Sequence, residues 1–281
     1  MIIFVEGALA SGKTTRAEFL AQKGRNAGKE SVLYYEHNID NPLDLTGRAF
    51  LSEDDYTEFK NNMIPLLYLH YGSEIKYGLE KFERASESFV GGWLINYNRL
   101  YYNDLKLTAY IRTLEKYQCC NGVLSPKLYC DLLYSRWEQF FSPKKITKKS
   151  DQIFEGALLQ NPLLDLMGWY CMDIKQIVTF YRKLCLLFCN RDFRVELIHV
   201  NDYKNAIQQA AAERTHTCVP WIDAAIQWLE KSPYGKHNKL TGFDGLVWFC
   251  KDLQNKSQEI CQLCNIPIHT IERKNICQTS C

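Results

Sequence analysis

A chain of 281 residues with an apolar share of 46% is long enough for one large α/β domain carrying an insertion. Its 34 basic and 32 acidic side chains leave a formal charge of +2. That balance argues against a dedicated nucleic-acid binder, which needs a clustered excess of Lys and Arg. The opening Met1–Gly7 stretch lacks the basic leader and cleavage site of a signal peptide, and no uncharged apolar run approaches the roughly 18 residues that span a bilayer. The sequence therefore predicts a cytoplasmic protein without a membrane anchor.

Ile2–Val5 is a short β-rich apolar run and reads as a buried strand. Lys13 to about Lys29 reads as a helix with Ala17, Leu20 and Ala21 inward and Gly28 near its end. Val32–Tyr35 is the second strand, followed by the polar loop Glu36-His-Asn-Ile-Asp40-Asn-Pro42. Residues 53–145 carry a mostly helical pattern, with breaks at Gly72, Gly91-Gly92 and Ser125-Pro126, and are expected to form a large helical insertion serving as an acceptor or lid subdomain. Ser52 followed by Glu53-Asp54-Asp55 resembles a capping box at its start. Its aromatic residues Trp93, Tyr97, Tyr101, Tyr102, Tyr110 and Trp137 fall at helical spacing and read as core. The Lys144-Lys145-Ile-Thr-Lys148-Lys149 run reads as a solvated loop.

Gln152–Phe154 is the third strand, ending at Glu155-Gly156. Helical patterns cover 162–170 and 173–190, and Asn161-Pro162 makes a good helix start. Arg194–Val200 is the fourth strand. Asn201 or Asp202 caps the next helix, which runs to Arg214. Residues 221–231 and 244–264 are again helical, Lys236 and His237 lie in a loop between them, and Pro267–Ile271 is a last strand. The alternation predicts a single α/β domain over 1–281, with a parallel five-stranded sheet between two helical layers.

Gly7-Ala8-Leu9-Ala10-Ser11-Gly12-Lys13-Thr14 fits G-x4-G-K-[ST] without a mismatch, between a predicted strand and a predicted helix. Gly7 and Gly12 let the backbone turn so that successive N–H groups converge on an anion, reinforced by the helix N-terminus. Lys13 supplies a cation for the outer phosphates, the Thr14 hydroxyl suits Mg²⁺, and Thr15 completes the binding stretch. The cofactors expected are ATP and Mg²⁺; nothing resembles the Asn-Lys-x-Asp reader of guanine.

Three more sites complete the candidate machinery. Glu155 ends a strand expected beside the first, where ligands of open parallel sheets collect; a carboxylate there holds Mg²⁺ or deprotonates an acceptor. Glu36 ends the second strand by the same logic, with Asn38 and Asp40 close behind. Arg214, before Thr215-His216-Thr217, ends a helix where an arginine can fork onto phosphate oxygens. Lys236, His237, Gln160 and Asn161 are weaker candidates for the phosphate or acceptor.

The twelve cysteines read as reduced thiols. Cys261, Cys264, Cys277 and Cys281 have the number of thiolates tetrahedral zinc takes, but the first pair sits in a helical pattern without a knuckle glycine.

Phe4-Val-Glu6-Gly7 through Gly12-Lys13-Thr14-Thr15 resembles the opening of the thymidylate kinase and deoxynucleoside kinase families. The chain differs where those families place an arginine after the third-strand acid, since Glu155 is followed by Gly156-Ala157. A wider resemblance, to a group of uncharacterised bacterial ATP-binding proteins of the P-loop kinase type, rests on Tyr35-Glu36-His-Asn38-Ile-Asp40-Asn-Pro42, Phe154-Glu155 through Leu163, Ala212-Glu213-Arg214, and Tyr234-Gly235-Lys236 with Leu240 through Leu246. The resemblance implies a P-loop NTPase fold of the kinase type and ATP binding.

The expected activity is transfer of the γ-phosphoryl group of ATP to a hydroxyl of a small molecule, nucleoside-like or another metabolite. The alternative is a P-loop NTPase acting as a nucleotide-dependent switch. The partners expected are a nucleoside triphosphate and a small-molecule acceptor; a homodimer stays open, and neither nucleic acid nor membrane is expected.

Overall fold

Short β-branched and aromatic runs become strands, and the segments between them become helices. The computed structural model describes residues 1–36, 38–89, 91–103, 107–142, 150–214 and 220–277, without the side chains of Tyr102 and Asn103. The Lys144–Lys149 run, His37, Thr215-His216-Thr217 and Cys281 lie outside the described residues. The strands are β1 (Ile2–Glu6), β2 (Glu30–Tyr34), β3 (Arg48–Leu51), β4 (Ser86–Phe89), β5 (Gly92–Asn96), β6 (Ser150–Glu155), β7 (Phe193–His199) and β8 (Ile268–Glu272). The helices are α1 (Lys13–Asn26), α2 (Glu53–Tyr71), α3 (Ile75–Ala85), α4 (Tyr97–Asn103), α5 (Thr108–Ile111) and α6 (Pro126–Phe141). They continue with α7 (Gln160–Leu163), α8 (Ile174–Cys185), α9 (Tyr203–Glu213), α10 (Trp221–Lys231), α11 (Pro233–His237) and α12 (Gly242–Leu263). None of the described helices is long and apolar enough to cross a membrane.

The chain divides into two units, 1–44 with 132–281, and 45–131. In the first, five parallel strands run in the order β2-β6-β1-β7-β8. Every residue of β1 is buried, as a central strand requires, whereas β2 at the edge starts on exposed Glu30. The period of two sorts the side chains of β1 to opposite faces. Phe4 stacks on Trp137 and Phe154 with ring centroids 5.6 and 5.7 Å apart. Ile3 and Val5 join Ala17, Leu20 and Ala21 of α1, the inward face expected from the sequence. Both faces of the sheet are thus covered. The predicted strands fall within a residue or two of those found.

The second unit corrects the expected all-helical insertion. It holds a three-stranded antiparallel sheet, β3-β5-β4, besides its helices. Gly91-Gly92 is not a break between helices. Gly91 takes the left-handed φ of 83° between β4 and β5. Gly92 lies so close to β3 that an added Cβ would stand 2.1 Å from the Leu51 carbonyl oxygen. Trp93, Tyr97, Tyr101 and Tyr110 do pack on this unit's core, with Tyr56 stacked on Trp93 at 4.3 Å. Trp137 does not belong to it: α6 begins in the second unit and ends in the first, where Trp137 supports β1. Ser52 caps α2 as expected, accepting from the Asp55 amide.

Candidate functional site

The Gly7–Thr14 stretch joins the end of β1 to α1, as its pattern demands. Gly12 is the N-cap of α1 in the left-handed region, at φ 93°, and no side chain caps the helix there. The first amides of α1 therefore meet no capping oxygen, the condition in which a helix N-terminus can take an anion. Gly7 holds a φ of 155°, and an added Cβ would lie 3.2 Å from the Ile198 carbonyl oxygen and displace the Ser11 hydroxyl.

Two loop amides are held from behind. The Ala8 amide faces the phenol of Tyr203, whose hydroxyl donates to Gln254 Oε1 at 2.9 Å. Gln254 Oε1 also accepts from the Val200 amide at 2.8 Å. The Leu9 amide faces Cys250, whose thiol burial pushes up to about 12. Tyr203, Gln254 and Cys250 carry no sign of this in the sequence, since nothing local marks a helix residue whose partner lies in a loop 195 (Tyr203) or 241 (Cys250) positions earlier.

In front of the loop stand Glu155, the last residue of β6, and Glu36, which lies in the turn two residues past β2 rather than at the strand's end. Lys13 is 5% exposed, with Nζ 3.4 Å from the Ala8 carbonyl and 3.5 Å from Glu36 Oε2. The Thr14 hydroxyl donates to Glu155 Oε1 at 2.5 Å. The Glu36 amide donates to Glu155 Oε2 at 3.3 Å. The structure thus brings together four of the residues singled out from sequence: Lys13, Thr14, Glu36 and Glu155. Hydroxyl and carboxylate oxygens are the hard donors Mg²⁺ prefers, so Thr14 and Glu155 fit that ion.

Gln160 and Asn161 join them as well as starting α7. Gln160 Nε2 donates to Glu36 Oε1 at 2.6 Å, and Asn161 Nδ2 donates to Asp44 Oδ2 at 3.3 Å. The turn carrying Asp44 is fixed by Asn41, whose Oδ1 accepts from the Leu43 amide, and by Trp137 Nε1 donating to the Leu43 carbonyl.

Arg214 is elsewhere. Its guanidinium lies over the Trp221 ring, 4.3 Å from the centroid, and no contact among the described residues joins it to Lys13, Glu36 or Glu155. Lys236 and His237 are exposed on α11, a helix rather than the expected loop, begun by Ser232 accepting from the Gly235 amide. Cys261 is buried in α12, and burial pushes its thiol up to about 12. No metal-ligand cluster occurs among the described residues.

Glu6 is the acid that sequence reasoning left inside the motif. It is fully buried at the end of β1. Its Oε1 accepts from the Leu158 amide at 2.7 Å and its Oε2 from the Gln160 amide at 3.1 Å, which ties the loop's root to the segment bearing Gln160 and Asn161. Burial raises its pKa from 4.5 to about 7, against the pull of those amides and of Lys13. The folded chain then holds this proton more tightly than the unfolded one. The contribution to stability is complete below about pH 4.5 and is lost as pH rises to 7, by about 3 kcal/mol. Urea unfolding at pH 5 and pH 8 should show that loss, and Glu6→Gln should remove it. An identical pH slope in both chains would assign the effect elsewhere.

A second buried acid anchors α1. Arg16 Nε pairs with Glu196 Oε2 at 2.6 Å, both nearly inaccessible, and Arg16 also donates to the Ile276 carbonyl at 3.0 Å. The Ile276 side chain in turn lies against Gly12, so the segment after β8 covers the start of α1.

Searches against models of known protein families and against curated proteins give no match for this sequence.

Proposed function

We propose that this chain is an ATP- and Mg²⁺-dependent phosphotransferase of the P-loop kinase type, moving the γ-phosphoryl group to a hydroxyl of a small molecule. One observation carries the reading: Lys13 and Thr14 open a helix that no side chain caps, and each meets a different carboxylate, Glu36 just past β2 and Glu155 at the end of β6. Topology supports the place. The chain leaves β1 for β2 on one side of it and later passes from β6 to β7 on the other. Such a reversal opens a crevice at the carboxyl ends of the strands, where ligands of open α/β sheets bind.

The residues divide the work. Backbone amides at the start of α1 take the phosphates, and Lys13 leaves Glu36 to neutralise the transferring group. Thr14 and Glu155 would hold Mg²⁺, which would supply charge neutralisation on the phosphate oxygens. Glu36 accepts the proton of the acceptor hydroxyl. That oxygen bonds to the γ-phosphorus, the bond to the β–γ bridging oxygen breaks, ADP leaves, and Glu36 returns its proton to water.

Release of ADP with Mg²⁺ and ATP, across nucleosides, nucleotides, sugars and amino-sugar alcohols, should depend on the acceptor. ATP binding with a flat response across the whole panel would defeat the transfer reading and leave only hydrolysis.

A further inference from the structure

The polar wall facing Lys13 has a one-sided hydrogen-bonding character. Gln160 directs Nε2 at Glu36 Oε1, 2.6 Å away, with Asn161 Oδ1 as a longer second acceptor at 3.4 Å. Asn161 directs Nδ2 at Asp44 Oδ2. Each amide thus commits its donor to a carboxylate of the chain itself. What the wall retains is oxygen: two carboxylates and two amide carbonyls. One of these carbonyls, Gln160 Oε1, is buried and finds no donor among the described residues. A buried acceptor without a donor is costly, and a ligand that brings one relieves the cost.

Gly156 makes room beside this wall. It holds a left-handed φ of 67°, and a Cβ added there would come within 3.5 Å of both Glu36 Oε2 and Lys13 Cε and 3.6 Å of Asn161 Oδ1. Three functional groups therefore converge on a point that carries no side chain. A hydroxyl that reaches Glu36 here lies beside Lys13, and so beside the phosphoryl group that Lys13 would neutralise.

We propose that the acceptor is a neutral or cationic alcohol rich in hydrogen-bond donors, a polyol, nucleoside or amino sugar, and not a phosphorylated or carboxylated molecule. This rests on the phosphotransferase reading above and narrows it. A donor group on the acceptor satisfies Gln160 Oε1, and further donors suit the carboxylates of Glu36 and Asp44. An anionic acceptor would set its charge beside the carboxylates and leave Gln160 Oε1 without a donor, which is discrimination by repulsion as much as by fit.

The test uses matched pairs: glucose, glucosamine, ribose and the four common ribonucleosides, each against its own monophosphate, with Mg²⁺ and ATP. The best acceptor should be an unphosphorylated member, with kcat/KM at least about 10-fold above that of its phosphate. The reverse preference would overturn the proposal while leaving the phosphotransferase reading intact. No turnover with any pair, while ATP still gives binding heat, would overturn both. Asp44→Asn should raise KM for the best acceptor about 10-fold and leave KM for ATP unchanged. An unchanged acceptor KM, or an ATP KM that rises with it, counts against the wall. Asn161→Lys, which adds a cation, should move the preference about 10-fold toward the phosphorylated partner, and failure to move it while ATP binding persists counts against the proposal as well.

Discussion

Replacing Lys13 with alanine is expected to lower acceptor-dependent turnover by about 10³-fold and ATP affinity by about 10-fold or more. The ammonium group pairs with Glu36 in this structure, and on the proposed reading the same group meets the phosphates once nucleotide binds. Its loss does two things at once. The transferring group loses its neutralising charge, and Glu36 and Glu155 are left close together without the ammonium that tempers their repulsion. The second effect makes the nucleotide-free chain less stable by about 1–2 kcal/mol, less than for a fully buried pair because Glu36 keeps some contact with water and with Gln160. Calorimetric titration of ATP with Mg²⁺, ADP release and thermal unfolding read the three quantities separately. Full binding heat in the Lys13→Ala chain would remove the ground on which the functional reading stands.

Glu36→Gln is the second large effect. The amide preserves the oxygen that accepts from Gln160, so the wall keeps its shape. It cannot take a proton, and kcat should fall by about 10²–10⁴-fold while KM for ATP moves little. A retained kcat would transfer the role of base to Glu155, whose hydrogen bond from Thr14 otherwise marks it for the metal. The two carboxylates, indistinguishable as strand-end acids in the sequence, are separated in space by which loop residue each one meets.

The strand–loop–helix opening was fully legible because its chemistry is local: Ile2–Glu6, then the turn glycines, then Lys13 and Thr14, all within one short segment. The remaining sheet strands were legible from apolar runs bounded by turns. What failed was of two kinds. Arg48–Leu51 and Ser86–Phe89 are four-residue strands, too short to show a period, and the second follows α3 without a breaker. Their identity is set by pairing with β5, a tertiary fact. The other failure concerned partners distant in sequence. Asp44, Tyr203 and Gln254 carry no signature in their own neighbourhoods, and Glu6 looks like one more letter of the phosphate motif until the amides of Leu158 and Gln160 are seen upon it. The argument for Arg214 as a phosphate-binding arginine is a local one, and the structure adds that its guanidinium rests on Trp221.

The central position of β1 has a consequence for biosynthesis. Its neighbours are residues 150–155 on one side and 193–199 on the other, so the ribosome must make the whole 45–131 unit before either arrives. At roughly 5–20 residues per second, the nascent Ile-Ile-Phe-Val segment waits on the order of 10–40 s with its edges unpaired. Helical segments downstream can form meanwhile from nearby contacts, whereas the opening strand stays unpaired until residues 150–155 and 193–199 have been made.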